Sequence, residues 1–277
     1  MNTLPQNKEF TISSASGWIW EKIDKLESDI AQNMASYKLG QAMDDIYHFV
    51  WDDLADWYIE YLKTSPDQLP FAKKHVFEPL IKLIHPFIPF ETEAIWSEIS
   101  KLDSTINPDK KLLIEQRFEL PTFDAKIFNS SEFESIISFV SEFRKLRGLY
   151  RIDPVLKIAI NSNDPLLKEY QNFIRQIAKL ELEELDKSSK SSFTQKWSGI
   201  EFSFDLKGVI PDLVLELDRT KEDLAKTDKD IAKLEGLLNN PGFVSKAGGE
   251  TVEKTKNELN EKLEFKAQLQ AKVEFLG

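Results

Sequence analysis

LIKLIHPFIPFETEAIW, residues Leu80 to Trp96, sets how the rest of this chain is organised. Leu80, Leu83 and Ile84 have the spacing of a buried stripe on a helix. His85-Pro86 and Pro89 then interrupt it, because proline removes a backbone donor and biases the residue before it away from helical geometry. Phe87, Ile88 and Phe90 are too apolar for a solvated loop, so the break is expected to be buried. Glu91, Thr92 and Glu93 supply capping chemistry and negative charge for the start of a second helix. That helix is expected to bury Ile95, Trp96 and Ile99. A helix, a buried double-proline kink and a second helix make a corner around which other helices must pack.

Working outward toward the start, Trp18, Ile19, Ile23, Leu26 and Ile30 keep a helical period. Tyr37-Lys38-Leu39-Gly40 follows, and then a helix over 42–62. Its aromatics, from Tyr47 and Trp51 to Trp57, Tyr58 and Tyr61, recur at helical spacing and are expected in the core. Asp44, Asp45, Asp52, Asp53 and Asp56 lie between them on the solvated face. Thr64-Ser65-Pro66-Asp67 is a turn cluster, and a further helix over 71–84 leads into the kink. About four helices with short connections suggest a bundle.

Composition bounds the rest. The chain has 277 residues, 41% hydrophobic and 30% charged, with 19 Phe and 6 Trp, which is the composition of a folded soluble protein. It has no cysteine, so disulfides, cysteine zinc sites and a thiol nucleophile are excluded, and a reducing cytoplasm is the expected compartment. No signal-peptide core and no membrane-spanning apolar run is present in the sequence. The net charge is −11, with 20 acidic against 12 basic residues in 1–120. A nucleic-acid partner therefore needs local basic surfaces.

Past the corner, Leu112, Ile114, Phe118 and Leu120 could form a strand or an extended crossover. Phe133, Ile136, Ile137, Val140, Phe143 and Leu146 mark another helix, with Arg144, Lys145, Arg147 and Arg151 clustered at its end. Residues 155–160 alternate like a short strand, Asp164-Pro165 starts a helix, and Ile200, Phe202, Phe204 and Leu206 alternate as another strand. Leu213, Leu217, Thr220, Leu224, Thr227, Ile231, Leu234 and Leu238 then step by four and three, which is a coiled-coil seam. Asn239-Asn240-Pro241-Gly242 turns the chain. A matched helix over 250–276, with Val252, Leu259, Leu263, Val273 and Leu276 apolar, completes an antiparallel hairpin that projects as an arm.

Few residues suggest local chemistry. His48, His75 and His85 show no metal-ligand spacing, and His85 reads as a structural histidine in an apolar corner. No phosphate loop, nucleophile elbow or dinucleotide fingerprint occurs, and Lys187 to Ser192 reads as a polar linker. What remains is binding. Trp18 and Tyr37-Lys38 lie near helix ends, where a ring can stack on an unpaired base and a lysine can meet phosphate. Arg144, Arg147 and Arg151 fall on one side of a helix end. Arg219, Lys226 and Lys233 are seven apart with Lys229 beside them, and a seam of leucines puts all four on the outer face of the arm.

The corner resembles a segment of the helical anticodon-binding domain of class Ia aminoacyl-tRNA synthetases, where a leucine helix runs into a His-Pro-Phe-x-Pro-Phe corner and a Thr-Glu-x-x-Trp helix. Trp18-Ile19 and the stretch from Tyr37 to Tyr61 are similar to that domain's earlier helices. The run from Leu237 through Asn239-Asn240-Pro241-Gly242 to Ala247 resembles the turn of the C-terminal coiled-coil arm of the valyl-tRNA synthetases, and Lys207-Gly208-Val209-Ile210 fits the entry into it. The family's His-Ile-Gly-His and Lys-Met-Ser-Lys-Ser motifs do not occur here.

The resemblance implies a mainly α chain: an anticodon-binding bundle (1–125), a small α+β unit (126–208) and a coiled-coil arm (209–277). It implies valine tRNA as partner, together with the catalytic half of the synthetase in cis or in trans, with the chain itself a monomer that does not charge tRNA alone. No cofactor is expected in this chain; ATP and valine would bind the catalytic domain. Trp18, Lys22, Tyr37 and Lys38 are expected at the anticodon, with Arg144, Arg147 and Arg151 beside it and Arg219, Lys226, Lys229 and Lys233 on the arm. The competing expectation is a protein-interaction module that uses the arm as a coiled-coil docking device and binds no tRNA.

Overall fold

Ser13 starts the first helix: its hydroxyl accepts from the Ser16 N–H at 3.1 Å, which satisfies one of the free donors of the opening turn. A computed structural model describes residues 12–103, 106, 107, 109, 111–118, 128–183, 192–197, 199–205, 209, 210, 212–240, 242, 243 and 247–276. Helix α1 (Ser14–Ala35) buries Trp18, Ile19, Ile23, Leu26 and Ile30, as its period requires. Gly17 lies under the Phe128 ring, where a Cβ would come within 2.1 Å, so a side chain there would push that ring off the helix.

Helix α2 is one continuous run, Leu39–His48, Phe49–Ile59 and Glu60–Thr64, whose middle third is wound in wider π-turns. That winding corrects the expected core. Across it the buried positions Phe49, Leu54 and Tyr58 step by five and then four. Tyr47 and Trp51 are consequently turned outward, each 60% exposed. Val50 and Trp57 are half-buried, and Tyr61 packs inside against Phe133 at 5.6 Å.

Helix α3 (Leu69–Ala72, Lys73–Phe77 and Glu78–Ile84) leads into the corner, and α4 (Pro89–Leu102) leaves it with Pro89 in its first turn. Leu80, Leu83 and Ile84 are buried and Phe87 and Ile88 half-buried. Phe90, expected inside, is 86% exposed, and Ile95 is 45% exposed. The helix starts at Pro89, so its buried face runs through Thr92, Trp96 and Ile99, and the side chains between them turn away. Thr92 is no cap: its hydroxyl lies 2.8 Å from the carbonyl of Ile88. Glu91 does place its charge in the first turn. The 112–120 segment forms a short turn at Leu113–Glu115, not a strand within 111–118, and Leu120 lies outside the described residues. Glu93 accepts from the Leu113 N–H at 2.9 Å, and this tucks Leu113 beside Ile81 and Trp96 while Leu112 and Ile114 face out.

Helix α5 (Ser130–Leu149) lies against α1, with Phe133 edge-on to Trp18 at 5.2 Å. Strand β1 (Ile158–Ile160), helices α6 (Pro165–Glu169) and α7 (Gln171–Ala178) and strand β2 (Leu180–Leu182) form a right-sized crossover, and β1 pairs parallel to β2 with Ile158 opposite Leu180. Asp164 caps α6 and Pro165 opens it, as the sequence indicates. Strands β3 (Ser192–Trp197) and β4 (Ile200–Asp205) make an antiparallel hairpin, joined to β1 through a bridge between Asn161 and Ser203. Ile200, Phe202 and Phe204 all point inward, and Leu206 lies outside the described residues. Among the described residues one large apolar core takes in residues from Ala15 to Ile210, and Ile81, Trp96 and Leu113 form a smaller second cluster. The expected boundary near 125 falls in residues not described, and the packing continues on both sides of it.

The arm pairs α8 (Leu213–Leu238) with α9 (Gly249–Leu276), each about 40 Å long. Every seam position of α8 named above is buried or half-buried. On α9 the seam runs through Val252, Thr255, Leu259, Lys262, Lys266, Leu269, Val273 and Leu276, again by threes and fours. Leu263, expected in the seam, is one position off it and 42% exposed. Lys262 and Lys266 stand in the seam instead and reach Asp230 at 2.8 Å and Asp228 at 2.7 Å.

Candidate nucleic-acid interface

The expected site residues fall into three separate places. At the α1–α2 corner the Lys38 N–H bonds the Asn33 carbonyl at 2.8 Å and the Tyr37 N–H bonds that of Met34 at 3.0 Å. This is the Schellman way of closing a helix, and its left-handed position usually holds glycine. Here Tyr37 occupies it, with φ of 57°, and its side chain is 92% exposed. A tyrosine held in a costly backbone conformation with its ring in solvent is the arrangement expected of a binding side chain. Lys38 beside it is exposed, and Met34, Leu39 and Met43 expose apolar surface next to both.

Trp18 and Lys22 do not join them. They sit roughly 20 Å or more back along α1, at the usual helical rise. Trp18 is 3% exposed and packed on Phe133, so its ring has no face for a base, and the expectation that it stacks at the anticodon is corrected. Lys22 lies 3.1 Å from Asp53, with its ammonium 5.4 Å from the Trp18 ring.

The end of α5 gathers the three arginines, and they differ. Arg144 is exposed and stacks over Trp57 at 5.2 Å. Arg147 is buried, and its guanidinium donates to the carbonyls of Asp153, Leu156 and Ala178 at 2.7, 2.7 and 3.0 Å. Burial pulls its pKa below the usual arginine range. With its donors turned to backbone, Arg147 ties α5 to the loops around it, and its expected contact with tRNA is corrected. Arg151 leaves the helix in a left-handed turn (φ 51°) and pairs with Glu216 at 3.0 Å and with Asp223.

On the arm, Arg219, Lys226, Lys229 and Lys233 are all exposed along α8. They stand on the face opposite the seam, which suits them to a line of phosphates. The α2 surface is the opposite case. From Leu39 to Leu62 there is no Lys or Arg, while Asp44, Asp45, Asp52, Asp53, Asp56 and Glu60 are present. Tyr47 and Trp51 lie on this acidic face with their rings parallel, 2° apart in tilt and 6.4 Å between centroids. Sequence periodicity missed them because it assumes ordinary helical winding. The carboxylates of this face disfavour phosphate, whereas the α8 stripe and the Tyr37–Lys38 corner carry exposed cations.

Among the described residues, no group of three or more His, Cys, Asp and Glu is placed to hold a metal, and no helix is long and apolar enough to cross a membrane.

Two stretches of the chain match known families. Residues 16–162 match the family described as the anticodon-binding domain of tRNA ligase, and residues 212–277 match the valyl tRNA synthetase tRNA binding arm. The chain is 28% identical over 274 residues to a valine–tRNA ligase of Cereibacter sphaeroides, covering 94% of this chain and 27% of that protein. It is 25% identical over 279 residues to the one of Oceanobacillus iheyensis, covering 95% and 31%. For that of Francisella tularensis the figures are 26% over 288 residues, 97% and 31%. The chain thus spans about three-tenths of the length of the curated relatives it matches. With the first match alone spanning more than half of its residues, the chain belongs to the anticodon-binding domain family of tRNA ligases.

Proposed function

We propose that this chain is the tRNA-holding part of a valine–tRNA ligase, gripping valine tRNA at two places. The α1–α2 corner, with Tyr37 and Lys38, receives anticodon bases, which are single-stranded and can be splayed and stacked. The outer face of α8 follows the backbone at the outer corner of the folded tRNA through Arg219, Lys226, Lys229 and Lys233. Lys22 and Arg144 border the bundle's side of the interface as supporting cations. Attachment of valine, and the binding of ATP and valine that it needs, belong to the rest of such a ligase, acting in cis or in trans in the cytoplasm.

The observation that carries this reading is the order of the two matches along one chain, an anticodon-binding unit followed by a tRNA-binding arm, with exposed cations on the arm. The docking-module alternative needs a free coiled-coil seam, and the seam of α8 is filled by α9. Substituting the four arm cations by Ala tests the proposal. Each lost phosphate contact should lower the slope of log affinity against log salt by roughly 0.7 to 0.9. An unchanged slope would remove the arm from the interface.

A further inference from the structure

The root of the arm is held by a four-charge joint that the tRNA-binding reading leaves unused. Glu216, in the first turn of α8, is 5% exposed, and Lys272, near the end of α9, is 1% exposed. The Lys272 ammonium lies 2.6 Å from Glu216 Oε1 and 4.9 Å from the Tyr150 ring centroid, and it donates to the Leu149 carbonyl at the end of α5 at 2.5 Å. The same Glu216 oxygen accepts from Arg151 Nη1 at 3.0 Å, while Arg151 Nη2 reaches Asp223 about two turns further along α8. Two cations and two carboxylates balance. They connect both arm helices to one point of the body, the left-handed exit of α5.

Apolar contact is non-directional and would tolerate a range of arm angles. Charge-assisted hydrogen bonds to one carboxylate oxygen are directional, and a planar guanidinium bonded at both nitrogens admits little rotation. Leu213 and Leu276 seat the arm root against the body's core, while Val155 and Val214 beside it are each 72% exposed, so the direction of the arm falls to the charged groups. Arg151 also holds a left-handed backbone that glycine would occupy at lower cost. Its side chain is what that position retains.

We propose that Arg151, Glu216 and Lys272 set the angle of the arm to the bundle, and that Arg151 is a positioning residue for tRNA binding, not a phosphate contact. For its effect on RNA this rests on the tRNA-holding reading above; the geometry itself does not.

The absence of cysteine allows two spin labels to be placed at chosen sites, through Ser97→Cys on α4 and Glu235→Cys near the arm's far end. The otherwise unaltered chain should give one narrow distance distribution. Arg151→Ala should broaden it at least about twofold with unchanged helix content, and Arg151→Lys should restore it in part. Lys272→Met should broaden it further; if that variant does not fold, the Arg151 pair still decides. Affinity for a folded tRNA should fall roughly tenfold in Arg151→Ala, because one of two linked contacts loses its geometry. Arg151→Lys should recover it in proportion to the distance distribution. An unaltered distribution in Arg151→Ala would overturn the proposal. If RNA affinity fell all the same, Arg151 would be a direct contact. A broadened distribution with no tRNA binding by any version of the chain would leave the joint standing and sink the tRNA reading.

Discussion

His85 Nδ1 lies 2.8 Å from Thr92 Oγ1 across the proline corner, so the two ends of the kink are fastened by one side-chain pair. The Thr92 hydroxyl has one proton, and its other close neighbour, the Ile88 carbonyl at 2.8 Å, can only accept. The histidine therefore donates to the hydroxyl, and the hydroxyl donates to the carbonyl. Thr92→Val keeps the shape and deletes both bonds. It should cost about 1–3 kcal/mol in a urea unfolding measurement, the usual penalty for leaving buried polar groups unmade. A loss under a few tenths would mean the corner is held by Trp96 and its neighbours alone.

Tyr37 and Trp18 should respond in opposite ways. Tyr37→Gly relieves a left-handed residue and should leave stability unchanged or raise it by about 1 kcal/mol. It should weaken RNA binding by about 1–3 kcal/mol, the usual value of one stacked base. Trp18→Ala opens a core cavity and should cost about 3–5 kcal/mol of stability. Thermal melting and RNA titration on the same two variants separate stacking from packing.

The acidic face of α2 should exclude RNA. Replacing Asp44, Asp52 and Asp56 together by Lys should create binding to unrelated RNA at low salt, with a steeper salt dependence than the starting chain. Filter binding at two salt concentrations would show it. No gain would mean that this face is not what limits RNA approach.

Acid should weaken the fold through His75. This side chain is 3% exposed, and burial, with a smaller contribution from Lys74, holds its pKa down to about 4 from 6.5. In the folded chain it is neutral, while the unfolded chain takes up a proton below 6.5. Its stability contribution is complete above 6.5, declines as pH falls toward 4 and is constant below, amounting to about 3 kcal/mol. Urea midpoints between pH 7 and 4 should fall more in the starting chain than in His75→Phe.

The parts legible in the sequence were those ruled by a fixed period. Helices α1 and α5 and the seam of α8 bury or half-bury the residues that their spacing marks, and strand β4 does so at Ile200, Phe202 and Phe204. Legibility ended where winding or pairing changed the period. The π-turns of α2 exposed Tyr47 and Trp51, and ion pairs allowed Lys262 and Lys266 to stand in a seam where only apolar residues were sought. The site was less legible for a related reason. A positive side chain near a helix end looks the same in sequence whether it faces phosphate, as Arg219 can, or is spent on backbone carbonyls like Arg147. Backbone conformation also carries information that spacing lacks, and it is the left-handed turn at Tyr37 that distinguishes this ring from the buried aromatics around it.

The most direct measurement is the affinity of this chain for valine tRNA, for valine tRNA with its anticodon bases changed, and for an unrelated tRNA, each at low and physiological salt. Valine tRNA should bind most tightly, the altered anticodon should lose affinity at both salts, and Tyr37→Gly should erase that difference. Equal affinity for all three, varying only with salt, would contradict a bundle that reads the anticodon.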